Sequence, residues 1–284
     1  MACCFCCRRG VYICMIEIDA GRCVGCGACA GDCFPGALTM DGRTPRFSAP
    51  ASCIGCGHCI AVCPVGAVSD PELPEVRTRT QPPVQPEALL EAMQFRRSCR
   101  HYTEEPLTEG ELQMLLTAGR WCPTAKNLQD TSYLLVRGEK TAELRRAALH
   151  SLGDLGRDML RSGCPADMVR RAQNFVQWDE NLQADPGFDP IFFHAPNLIL
   201  ILAGEEGARD AAAAAAYMEI LAQTMGLGCL YSGYFCAVAD SPAVQAILQL
   251  PAGRQVVRCL VLGHPDIRFR RIAPRKPADI RILE

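Results

Sequence analysis

Cys23-Val24-Gly25-Cys26-Gly27-Ala28-Cys29-Ala30-Gly31-Asp32-Cys33 is followed thirty residues on by Cys53-Ile54-Gly55-Cys56-Gly57-His58-Cys59-Ile60-Ala61-Val62-Cys63. Both stretches read C-x2-C-x2-C-x3-C, and the likeness extends past the thiols: Gly25, Gly27, Gly36 and Ala37 recur as Gly55, Gly57, Gly66 and Ala67. Three closely spaced thiolates can converge on one cubane, because the intervening glycines let the backbone fold tightly around it. The fourth Cys is left to cross over, so the motif comes in pairs; this is the run that holds two [4Fe–4S] clusters. One cluster is expected on Cys23, Cys26, Cys29 and Cys63, the other on Cys33, Cys53, Cys56 and Cys59. Zinc sites use two CxxC pairs separated by a longer loop, a pattern that these two dense runs fit poorly. The chain is expected to move electrons.

Residues 15–70 resemble the two-cluster ferredoxins of bacterial type. Cys63 is followed by Pro64, as that family's pattern asks, whereas Cys33 is followed by Phe34, with Pro35 one step late. Met15–Asp19 reads as the opening strand of this module.

The chain has 284 residues, room for one small domain and one of ordinary size. A hydrophobic content of 49% against 21% charged is a normal globular composition. The formal net charge of −2 offers no electrostatic footprint for nucleic acid, and no apolar run reaches the length of a membrane span. Eight of the 19 cysteines fall in the two runs, where they are accounted for as thiolate ligands. Cluster assembly needs reduced thiols, and the N-terminal stretch has neither a continuous apolar segment nor a cleavage site, so a cytoplasmic protein is expected. Cys3, Cys4, Cys6, Cys7 and Cys14 could form an extra metal site, but adjacent cysteines are awkward ligands for one ion. The reading preferred here is a disordered 1–14 with the natural start at Met15.

After Asp70 the texture changes. Pro71, Pro74, Pro82, Pro83 and Pro86 fall among polar residues, the signature of an extended tether. The expected division is 15–70 for the cluster domain, 71–87 for a Pro-rich linker and 88–284 for a larger domain. Pro86–Arg97 reads as a helix. Thr108 and Glu111 form a capping signal ahead of Leu112–Ala118. Tyr133–Val136, Leu198–Leu202 and Val256–Leu262 read as buried strands. The Ala-rich run at 208–225 is a strong helix former with Gly226 as its stop. Helices mixed with a few strands, without a repeated βαβ order, indicate an α+β fold, and no GxGxxG is present.

Three stretches of this domain belong together. Arg96-Arg97-Ser98-Cys99-Arg100-His101-Tyr102 offers three guanidiniums suited to a phosphate. Trp121-Cys122-Pro123-Thr124-Ala125-Lys126-Asn127-Leu128-Gln129 is a Pro-bounded turn rich in donors and acceptors. Gly226-Leu227-Gly228-Cys229-Leu230-Tyr231-Ser232-Gly233 is paired with a late Pro274-Arg275-Lys276-Pro277. Taken singly, each reads as a basic surface patch or a loop. In this order and spacing residues 88–284 resemble the nitroreductase family of FMN enzymes. That resemblance implies a nitroreductase-like α+β fold with FMN held by Arg96, Arg97, Ser98, Arg100, Asn127 and Arg275. It further implies that Pro123, Thr124 and Gln129 line the flavin while Tyr231, Ser232 and Gly233 approach its ring. Two departures stand out: Asp130 and Thr131 follow Gln129 where the family has Pro-Trp, and Ala273 replaces a basic residue.

The combined reading is an iron–sulfur flavoprotein oxidoreductase. Electrons are expected to pass from a low-potential donor such as reduced ferredoxin through two [4Fe–4S] clusters to FMN. From there they reach a small electron-poor acceptor of nitroaromatic or quinone type. NAD(P)H stacking directly on the flavin is the competing donor. A non-enzymatic electron carrier or redox sensor, and a reductive dehalogenase on the same fold, are the alternatives. No histidine is nominated for catalysis, and the resemblance implies a homodimer whose C-terminal segment reaches the partner.

Overall fold

The thirty-residue repeat of the sequence becomes a repeat in space. The computed structural model describes residues 16–73, 76–78 and 84–284, and within them two units. Expectations for 1–14, including its five cysteines, and for residues 74–75 and 79–83 of the Pro-rich linker lie outside the described residues.

In the first unit the elements run β1 (Glu17–Ile18), α1 (Ala28–Gly31), β2 (Leu38–Asp41), β3 (Thr44–Phe47), α2 (His58–Ala61) and β4 (Val68–Ser69). The one-turn helices α1 and α2 are each entered from a glycine of the repeat, Gly27 at φ 76° and Gly57 at φ 70°. A side chain at either position would meet the left-handed penalty of roughly 1–2 kcal/mol. Strand β1 pairs antiparallel with β4, Ile18 opposite Val68, so the module closes its first strand on its last. Strands β2 and β3 form a hairpin running from Leu38↔Phe47 to Asp41↔Thr44. Cys29, Leu38 and Val68 make the buried centre, with Ile16, Ile18, Phe47 and Ile60 packed around it. The turn Thr124–Gln129 also belongs to this unit.

The second unit starts with α3 (Pro86–Phe95), two residues shorter than the sequence suggests because Arg96 leaves helical space. Helix α4 (Glu109–Arg120) carries the expected capping box. Glu111 N donates to Thr108 Oγ1 at 3.2 Å, and Thr108 N donates to Glu111 Oε2 at 2.8 Å. Then follow β5 (Ser132–Arg137), α5 (Glu139–Ser162), α6 (Ala166–Ala184), β6 (Asn197–Ala203) and α7 (Ala208–Thr224). Helix α7 stops where Gly226 turns left-handed at φ 73° and Leu227 N bonds back to Ala222 O. Strand β7 (Gly228–Tyr231), α8 (Gly233–Cys236), α9 (Pro242–Leu248) and β8 (Gln255–Gly263) complete the unit.

The sheet order is β5-β6-β8-β7, with every neighbouring pair antiparallel. Strand β6 is buried along its whole length, and its alternation serves two cores. Leu198, Leu200 and Leu202 join Leu149 and Leu152 of α5 and Phe175 of α6 on one face. Ile199 and Ile201 join Leu115 of α4 and Met218 of α7 on the other. Helices therefore cover both faces of an antiparallel sheet, an α+β layer arrangement. The long pair α5 and α6 is the largest of the elements that the sequence reading did not identify. Among the described residues no helix is long and apolar enough to cross a membrane.

Candidate functional sites

In the first unit the structure brings seven of the eight predicted ligands together in two groups, all but the exposed Cys26. Cys33, from the first run, shares the lining of one small cavity with Cys53, Cys56 and Cys59 of the second. The Cys29 thiol is pushed up first by burial and then by the nearby charges of Cys63 and Cys23. Cys59 is likewise pushed up to about 11, by burial and then by Cys53 and Cys56. Burial alone would also raise Cys63. The backbone N–H groups of Val65, Ala67, Val68 and Gly66 outweigh it and hold this thiol below its usual value, Ala67 N lying 3.2 Å from Sγ. N–H donors of this kind favour the thiolate, the form that binds metal. Crowded thiolates repel one another until a cationic iron core neutralises them, and the donor set is all sulfur, so the residues present fit iron–sulfur clusters. Among the described residues no three acidic, His or Cys side chains close on a single-ion position. A cubane does not require that, since each Cys binds its own iron corner.

The turn predicted to touch the flavin lies against the cluster loop. Lys126, Asn127 and Gln129 take left-handed φ values of 53°, 52° and 48°, a conformation that carries roughly 1–3 kcal/mol of strain per non-glycine residue. Thr124 Oγ1 accepts from Gln129 N at 3.0 Å and stiffens the turn. Asn127 Nδ2 donates to the Gly55 carbonyl at 2.8 Å, between Cys53 and Cys56. Asn127, assigned by resemblance to the flavin, thus spends its amide on the iron–sulfur module.

In the second unit the segment leaving α3 runs along β7. Ser98 forms a parallel bridge with Cys229, and Cys99 N donates to Cys229 O at 3.0 Å. This contact needs a glycine at 228: a Cβ there would stand 2.8 Å from Cys99 Sγ and 2.9 Å from Cys99 Cβ. Arg96–Arg100 and Gly228–Gly233, far apart in sequence, are neighbours for that reason. Arg96 Nη1 pairs with Oε1 of the buried Glu219 of α7 at 2.7 Å. Tyr231 is half-buried, and burial followed by the Glu219 charge drives its hydroxyl well above the usual range, so it stays protonated. Glu219 escaped the sequence reading. Its signal was one acid between Met218 and Ile220, in the apolar second half of the Ala-rich helix.

A cavity of about 470 Å³ opens beside this segment, within the ~300–1,000 Å³ range of small-molecule sites. Arg100, Tyr231, Ser232 and Gly233, all predicted flavin residues, form one wall. The Arg100 guanidinium stands 5.8 Å from the Phe193 ring centroid. Ser232 is 3% exposed, yet its Oγ has no hydrogen-bond partner among the described residues. A buried hydroxyl without a partner costs about 1–3 kcal/mol, so this wall fits a ligand that supplies one. Arg97 is half-buried and Arg275 is exposed in a C-terminal segment without helix or strand; neither makes an ion pair among the described residues. Pro123 ends the second unit's segment before the turn. The departure at Asp130 has a local role, since its Oδ2 accepts from Gly204 N at 2.9 Å and its Oδ1 meets Arg254 at 2.7 Å.

A model of the Nitroreductase family matches residues 93–264, more than half of the chain, and the 4Fe-4S dicluster domain model matches residues 22–67. A curated relative, the NADPH-flavin oxidoreductase of Vibrio harveyi, is 28% identical over 198 residues, covering 69% of this chain and 72% of its own length. The solved FMN-bound nitroreductase of Bacteroides fragilis aligns with a TM-score of 0.55 at 20% identity, over 69% of this chain and 98% of that one. That of Desulfitobacterium hafniense gives 0.52 at 19% identity over the same shares. These two likenesses bear on the fold, and they agree with the helix-covered antiparallel sheet built above from the residues of β6. With an iron–sulfur dicluster domain at its N-terminal end, the chain belongs to the nitroreductase family.

Proposed function

We propose that the chain is an FMN-dependent oxidoreductase that takes electrons one at a time through two [4Fe–4S] clusters and delivers them in pairs to a small electron-poor acceptor. The observation that carries this reading is the joining of a cluster module and a nitroreductase-family domain in one chain. When bound, FMN exchanges single electrons with iron–sulfur centres and hands on a pair as hydride from N5.

The chain's own residues supply binding and charge. Arg96, Arg97, Ser98 and Arg275 are the proposed phosphate contacts. Glu219 takes one of the five N–H donors of Arg96 and fixes its plane, which leaves the others for phosphate. Arg100, at the cavity wall, stabilises negative charge at the ring edge. Ser232 completes its hydrogen bonding on the flavin, and Tyr231 keeps its proton. Pro123, Thr124, Asn127 and Gln129 are the remaining proposed flavin contacts, carried over from the family resemblance. Cys23, Cys26, Cys29 and Cys63 hold one cluster, and Cys33, Cys53, Cys56 and Cys59 the other.

The active species is proposed to be a homodimer in the cytoplasm. Leu90 and Met93 on α3, and Ile280, Ile282 and Leu283 in the tail, are 45–99% exposed, an apolar surface that a second copy would cover. Reduced ferredoxin is the proposed donor. The name of the Vibrio relative makes NADPH the donor to compare with it. The test is anaerobic turnover of purified chain, with iron and flavin content measured first, against nitroaromatics and quinones with each donor. Turnover from reduced ferredoxin, with both cofactors present, supports the reading. A chain that holds both cofactors yet reduces no acceptor from either donor contradicts it.

A further inference from the structure

A second part of the cavity lining comes from α5 and α6 and carries no residue of the flavin pattern. It presents Leu155, Met159, Met168 and Phe175, with Arg171 at its edge. The aromatic rings at this lining are locked together. Tyr234 meets Phe175 edge-on at 5.6 Å and Trp178 at 5.0 Å, so the surface offered to a ligand is stiff and aromatic. The cavity's charge is one-sided: Arg100 and Arg171 line it, and no carboxylate does. Arg171 makes no ion pair among the described residues, although Asp179 on the same helix pairs with Arg157 and His150 of α5. An apolar slot with an unneutralised guanidinium at its rim selects a ligand with a flat apolar body and an anionic group, because Arg offers paired donors in the plane of a carboxylate.

We propose that this cavity binds an aromatic acid as the acceptor's class, with its ring against Met159, Met168 and Phe175 and its carboxylate on Arg171. The proposal rests on the flavin reading above and narrows its acceptor from any electron-poor ring to an anionic one. Arg171 is here a binding residue for the acceptor, separate from Arg100, which serves the flavin edge.

The test titrates the FMN-loaded full chain with benzoate and with benzamide, which have nearly the same shape and differ in charge. Flavin absorbance and calorimetry are the two readouts. Benzoate binds tighter by about tenfold or more, the worth of one charge-assisted contact. Arg171→Gln abolishes that preference at unchanged FMN content, and Arg171→Lys retains part of it. Equal binding of the two compounds overturns the proposal, as does a preference that survives Arg171→Gln or that only Arg100→Gln removes. Flavin content is read before titration. A wild-type chain that takes up no FMN defeats the flavin reading and this proposal with it, while a flavin-loaded chain indifferent to charge defeats the proposal alone.

Discussion

Gly228→Ala isolates the contact that assembles the proposed flavin site. The glycine has ordinary φ, so alanine adds no backbone strain and the effect is steric. Its Cβ would sit 2.8 and 2.9 Å from Cys99 Sγ and Cβ and 3.0 Å from Tyr102 Cε1, against ~3.5–4.0 Å for comfortable carbon contacts. Neither neighbour can step back freely. Cys99 N is bonded to Cys229 O at 3.0 Å, and Tyr102 Oη donates to Cys99 O at 2.9 Å and to Val261 O at 3.3 Å. Overpacking in a core costs ~1–3 kcal/mol, and losing one of these hydrogen bonds adds about 1 kcal/mol, so the upper end, about 3 kcal/mol, is expected. Both tryptophans, Trp121 and Trp178, lie in the second unit, so fluorescence during urea unfolding reports on it alone. The midpoint should fall by about 1 M at an m-value near 3 kcal/mol/M. FMN affinity should fall with it, because Arg96–Arg100 are displaced from β7. Gly110→Ala, with nothing nearer than Thr108 Oγ1 at 4.0 Å, is the tolerated control. Adding Cys99→Ala should recover part of the loss, since the Sγ contact goes and the Cβ contact stays. A Gly228→Ala chain with wild-type midpoint and wild-type FMN affinity would refute the packing argument.

Cys63→Ser should remove the cluster that includes Cys23 and Cys29, seen as loss of about half the iron; loss of the cluster on Cys53, Cys56 and Cys59 would invert the assignment. Arg275→Ala and Arg96→Ala should each weaken FMN by roughly 1.5–3 kcal/mol through lost charge-assisted contacts, measured by flavin fluorescence titration, with riboflavin unaffected by either. The capping box makes a pH prediction. The backbone N–H of Thr108, then its hydroxyl and His264, hold Glu111 below its ordinary 4.5 against a small burial penalty. A depressed carboxylate stabilises above its unfolded pKa, and that contribution is lost as pH falls through the folded value. Glu111→Gln should cost about 1 kcal/mol at neutral pH and flatten the acid limb of the second unit's stability curve below about 4.5.

The cluster module was legible because its information is local: ligand spacing and glycines within eleven residues decide both the loop and its chemistry. The flavin segments were legible as motifs but not as neighbours, since only the β7 pairing of Ser98 with Cys229 brings them together. Strand β7 itself was hidden behind Gly226, already read as the helix stop, and Gly228, which proves to be a close approach. Helices α5 and α6 had a signal in the spacing of Leu144, Ala148, Leu152, Leu155 and Met159, which repeats every three or four residues along one face. The partners of Arg96 and Asn127 were not legible at all. A buried Glu219 and a backbone carbonyl at Gly55 are long-range contacts, and sequence spacing carries no trace of them.

The account's central claim is that the clusters feed the flavin. Anaerobic rapid mixing of the full chain with dithionite-reduced ferredoxin, followed at the flavin's absorbance, tests it directly when wild type is compared with Cys56→Ser. Cys56 lies on the exposed side of the cysteine group that bonds to Asn127 through Gly55. The account predicts that the variant keeps its FMN and loses nearly all ferredoxin-driven flavin reduction. Equal rates of flavin reduction in the two chains would contradict it.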